Sequence, residues 1–181
     1  MASPIQEAFG RLIEEIYWIE DLDDAEHVLA ERLESLDPDL REVLLEERRK
    51  LCSDPNVLVE IIRLEALADS AEAADLREIL LLRSILDMLF LVQCSPKWAR
   101  MGAREKAHVL APLYKAWHGL KLALKNYPST IDKMHLSIAY TMAEEAYERA
   151  DKLGLINDVY KLLEKLGEEL LEEAGENEDG P

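Results

Sequence analysis

The chain is short of the residues that punctuate, staple or flatten a fold. Among 181 residues there are 7 glycines, 7 prolines and 2 cysteines, and threonine occurs only at Thr130 and Thr141. So few turn formers, with no strand-length run of β-branched residues, exclude a sheet-built protein. Cys52 and Cys94 are too few for a disulfide scaffold and match no zinc spacing. Both read as small buried side chains, and Cys94 alternatively as a thiol of lowered pKa near Lys97 and Arg100. Bases are scarce too: 21 Lys and Arg stand against 38 Asp and Glu, a net charge of -17. That sign excludes a protein that coats nucleic acid or anionic membrane with its whole surface. The most apolar run, Ile79 to Val92, is 14 residues long and interrupted by Arg83 and Asp87, too short and too charged for a bilayer. Met1 to Glu7 has neither the basic nor the apolar stretch of a leader peptide. The expected setting is therefore soluble, reducing and cytoplasmic, with no membrane partner.

What is present is the vocabulary of helix: leucine, alanine and glutamate dominate a chain that is 49% hydrophobic. The scarcity of Asn and Gln beside abundant Glu, Arg and Lys suits a thermophilic source. The expected fold class is all-α, a single-domain bundle or array of seven to eight helices over residues 1–171. A sub-boundary is possible near 94–101, and residues 172–181 read as an acidic, disordered tail.

Caps and breakers divide the chain into eight helical segments. Ser3-Pro4 opens the first, whose Ile5, Phe9, Leu12, Ile16 and Ile19 form one stripe. Asp21 to Asp24 cap the second, and Asp37-Pro38 and Asp54-Pro55 open the third and fourth. The fifth, near 76–92, is apolar on most sides and is expected at the centre of the core. Inside it, Asp87 needs a partner, which Arg83 one turn earlier can supply. Pro112 predicts a kink or break near Ala111 in the sixth segment, about Gly102 to Tyr127. Ser129 with Asp132 reads as a weakened capping box for the seventh. That helix lines up Ala139, Ala143, Ala146 and Ala150 as a face for close approach, and Gly154 should end it. In the eighth, Ile156, Val159, Leu163, Leu166 and Leu170 form a seam that packs on its own bundle. Ala116, Leu120, Ala123, Leu124 and Pro128 resemble the second-helix spacing of a tetratricopeptide repeat over 13 residues. That resemblance implies local helix-pair packing.

Charge is unevenly spread. Residues 94–135 hold eight bases and two acids, a local net of +6 in an acidic chain. Lys97, Trp98, Arg100, Arg104, Lys106, Lys115, Trp117, Lys121 and Lys125 make a basic-aromatic segment, with Lys121 and Lys125 on one helical face. Cations neutralise a partner's acids while tryptophans supply anchor area. The expected function is thus a non-catalytic interaction or scaffold protein that binds an acidic protein partner through this segment, or self-associates. The alternative is a nucleic-acid-associated subunit that uses the same segment. A helical metal-dependent enzyme ranks third. Its basis is Glu105…His108 and Asp132…His135, a carboxylate and an imidazole at i and i+3, but the two pairs should lie roughly 30–40 Å apart at 1.5 Å per residue. No nucleophile or phosphate-binding motif is present, so no catalytic residue, metal ligand or cofactor is assigned. Glu145–Arg149 and Glu148–Lys152 read as solvated i, i+4 pairs.

Overall fold

A computed structural model describes residues 4–36 and 38–178. It is an all-α bundle of eight helices: α1 (Pro4–Trp18), α2 (Leu22–Glu34), α3 (Pro38–Ser53), α4 (Asn56–Ser70), α5 (Ala74–Phe90), α6 (Ala103–Ala123), α7 (Lys133–Lys152) and α8 (Leu155–Glu178). Two 3-10 turns, Leu91–Cys94 and Trp98–Arg100, join α5 to α6. There is no strand among the described residues.

The aspartates act as the sequence leads one to expect. Asp21 accepts from the amides of Asp23 and Asp24, and Asp54 from that of Asn56, so orphan donors at two helix starts are satisfied. The caps expected from Ser3 and Asp37 fall outside the described residues. For α7 the expectation needs correction. Ser129 makes no cap bond among the described residues; Asp132 is itself the N-cap and accepts from the amides of Met134 and His135. Gly154 ends α7 with φ +75°, in the left-handed region where a side chain is strained.

The core centres on α6. Twelve of its 21 residues are buried, and it packs against α7, α2, α1 and α5. The alanines of α7 meet it closely: a Cβ on Gly119 would stand 3.4 Å from that of Ala139 and 3.2 Å from the His135 carbonyl. The apolar α5 does enter this core through Ile79, Leu82, Leu86 and Leu89, yet leaves Leu81 and Ile85 exposed. Its main neighbour is its hairpin partner α4, with lighter contacts to α6, α7 and α8, and that cover leaves one side of the helix open. Ile156, Val159 and Leu166 of the α8 seam are buried in the bundle.

Pro112 breaks nothing: α6 runs through it without interruption. Proline leaves the carbonyl four residues earlier without its helical donor. That carbonyl belongs to His108, and Arg149 of α7 donates to it at 2.9 Å. Arg149 also holds Glu145 at 2.9 Å, the i, i+4 pair expected on α7. Nor is 172–178 a disordered tail, since α8 continues to Glu178; Leu, Ala and Glu are strong helix formers. Residues 179–181 lie outside the description.

Cys52 of α3 and Cys94 of the first 3-10 turn form a disulfide, which corrects their reading as separate buried thiols. Forty-two residues apart in sequence, they are brought together by the α4–α5 hairpin, which returns the chain to the end of α3. Arg48, one turn earlier, adds a bond from Nε to the Gln93 carbonyl. With Arg41, which donates to the Glu34 carbonyl at 3.0 Å, and Leu51, which packs on the core, these ties hold α3, whose main packing partner is the turn itself.

Candidate binding surfaces

The fold splits the basic-aromatic segment into residues spent on structure and residues left free. Lys115 is 5% exposed and donates through Nζ to the carbonyls of Tyr17 and Ile19. Those carbonyls end α1, so a cation from α6 satisfies the negative end of a helix that has no base in its last turn. Burial holds the Lys115 ammonium below its usual pKa. Trp98 is buried, and Lys106 lies 5.9 Å from its ring centre. Lys97 is held 3.9 Å from Asp158, while Ser95, buried, donates to the same carboxylate. Trp98 and Lys115 are therefore spent on the core, while Lys97 stays exposed beside Asp158. Arg100, Arg104, Lys121 and Lys125 are exposed, with no ion pair among the described residues.

Lys121 and Lys125 belong to a mixed apolar and basic surface at the C-terminal end of α6. Lys121 lies 5.4 Å from the ring of Trp117, which meets Phe90 edge-on at 5.5 Å. The start of α7 adds exposed Lys133 and Met134, 62% exposed, and the connecting turn adds Tyr127. The end of α1 adds Trp18, 59% exposed, its ring set edge-on to Tyr17 at 5.1 Å and to His135 at 6.0 Å. The sequence reading missed Trp18. The available signal was its place off the Ile5–Ile19 stripe, since a tryptophan outside a helix's buried face has nowhere to go but solvent. His118 borders the surface. Burial, then Lys121 and His135, depress its pKa, against an upward pull from Glu14.

At the other end of α6 a cavity of about 620 Å³ opens beneath α3. Leucines of α2, α3 and α6 and Phe9 of α1 form its apolar wall. Its polar lining includes Arg41, Arg48, Lys106 and Tyr114, with Glu34 and Glu47 also present.

Both cysteine sulfurs are consumed in the disulfide. His108 contacts Glu26 and Arg149, whereas His135 contacts Tyr17 and Asp132, so the two carboxylate–imidazole pairs lie in separate clusters. Among the described residues no three His, Cys, Asp or Glu side chains are grouped to hold a metal ion. Asp87 makes no ion pair with Arg83 among the described residues; burial, with a contribution from Glu60, raises its pKa against the weaker pull of Arg83. No helix among the described residues is long and apolar enough to cross a membrane. No protein-family model, curated protein or solved structure matches the chain.

Proposed function

We propose that the protein is a non-catalytic interaction module that binds an acidic protein partner through the surface at the C-terminal end of α6. The observation that carries this reading is an exposed Trp18 sharing one end of the molecule with Lys121, Lys125 and Lys133, none of them paired with an acid among the described residues. Exposed tryptophan beside free cations is the composition of an interface anchor with a polar rim. A protein of net charge -17 would otherwise neutralise such cations internally. The Cys52–Cys94 disulfide runs against the reducing compartment expected from the sequence; a cytoplasmic setting stays part of the proposal only for a hyperthermophilic source, where intracellular disulfides have precedent.

Tryptophan fluorescence tests it, with polyglutamate and single-stranded DNA titrated at about 50 and 200 mM salt. Saturable polyglutamate binding, lost in Trp18→Ala and in Lys121→Glu/Lys125→Glu, supports the proposal. DNA binding without polyglutamate binding overturns it in favour of a nucleic-acid subunit. No binding of either overturns both.

A further inference from the structure

The cavity beneath α3 lies about 20 Å along α6 from the surface just described, at 1.5 Å per residue between Lys106 and Lys121. Its volume, about 620 Å³, is that of a small-molecule site. Three donor-bearing side chains line it with donor capacity left unspent among the described residues.

The first is Tyr114, 7% exposed and lining the cavity. Its hydroxyl has no hydrogen bond to any described residue. No fully enclosed side-chain nitrogen or oxygen lacks a partner among the described residues, so this hydroxyl opens onto the cavity. Burial raises its pKa to about 12, which keeps it a donor at any physiological pH. The second is Lys106, half-buried against Trp98, with no acid paired to it among the described residues. The third is Arg48, which spends only Nε on Gln93 and leaves the rest of its guanidinium unbonded among the described residues. Arg48 and Lys106 line the same cavity, and burial, then the arginine, holds the lysine below its usual pKa. Two like charges and a phenol facing one apolar space are each relieved by the same thing, an anionic oxygen acceptor. Glu34 and Glu47 line the cavity too but pair with none of the three.

We infer that this cavity binds an amphipathic anion, an aliphatic chain lying against the leucines of α2 and α3 with its carboxylate held by Tyr114, Lys106 and Arg48. A charge-assisted contact to the headgroup gives selectivity over a neutral chain, and the apolar wall gives affinity.

Calorimetric titration of the oxidised full chain with decanoate, 1-decanol and decylamine tests it. Decanoate is expected to bind at one site per chain, at least tenfold tighter than decanol, with decylamine not binding. Lys106→Gln should weaken decanoate about tenfold or more. Tyr114→Phe keeps the ring and removes only the donor, and should weaken it several-fold while decanol is unaffected. Lys121→Glu/Lys125→Glu should leave decanoate binding unchanged, which separates this site from the partner surface. Absence of decanoate binding, equal binding of decanol, or wild-type affinity in both cavity variants overturns the inference.

Discussion

Single residues here solve problems created elsewhere in the chain. Pro112 frees a carbonyl in the middle of the most buried helix, and Arg149, thirty-seven positions on, takes it. Arg149→Met should therefore cost about 1–2 kcal/mol, the lower part of the range for a bond to a charged group, because this one is open to solvent. In a Pro112→Ala background, where the helix supplies its own amide, the loss should shrink by about 1 kcal/mol, which urea denaturation of the four proteins in a double-mutant cycle would measure. Equal losses in both backgrounds would mean that the pairs with Glu145 at 2.9 Å and with Glu26 at 3.8 Å are all that Arg149 provides. His118 carries a pH signature. Its folded pKa is depressed below 6.5, first by burial and then by Lys121 and His135, with Glu14 opposing. Its contribution to stability is thus fully present above about pH 6.5 and is lost as pH falls through the folded value, because the unfolded chain takes up the proton first. His118→Gln should flatten that acid limb, read as a smaller difference between urea midpoints at pH 5 and pH 7.5.

At the scale of elements, α3 is the outlier. Its main contact is the turn it is bonded to through the disulfide and Arg48, with Arg41 and Leu51 adding ties to α2 and the core, so much of its order depends on the covalent link. Opening a loop of 42 residues' separation restores entropy to the unfolded chain worth about 4 kcal/mol in the loop-closure account. Replacing both cysteines by serine should lower stability by up to about that amount, with hydrogen-exchange protection lost first in 38–53 and retained in α6 and α7. Uniform loss of protection would show that α3 is integral to the core. These elements also mark how far sequence reading reaches. The starts of α2 and α4 were legible from Asp21 and Asp54, because capping is decided within four residues. The alanine face of α7 and the seam of α8 were legible because periodicity is local too. The neighbours of each helix were not. Nothing local says that Lys115 will meet the end of α1, that Cys52 will meet Cys94, or that α5 will leave Leu81 and Ile85 uncovered. The basic-aromatic segment was visible as composition, but which of its members are free is a property of packing. The cavity, built from four helices, had no linear trace.

For the whole molecule, charge acts in two opposed directions. A net charge of -17 spread over the helices repels itself and favours expansion, so added salt should stabilise the fold by screening. Isolated surface ion pairs such as Arg32–Glu15 at 3.0 Å and Arg49–Glu46 at 3.5 Å are too exposed to reverse that sign, since such pairs contribute roughly 0–1 kcal/mol each. The surface around Lys121, Lys125 and Lys133 has the opposite dependence, because an acidic partner is drawn by the charges that salt screens. Raising salt from about 20 to 200 mM should then raise Tm, each 1 kcal/mol appearing as roughly 2–4 °C at this chain length. Over the same range the affinity for polyglutamate should fall about tenfold or more, since the attraction there is between exposed charges. Decanoate, whose carboxylate sits among half-buried groups and whose chain lies on leucine, should change far less. The three responses diverge only if the acidic bulk, the basic end and the cavity are physically separate features. A Tm that falls with salt would show that attractive pairs, and not net repulsion, dominate the surface of the fold.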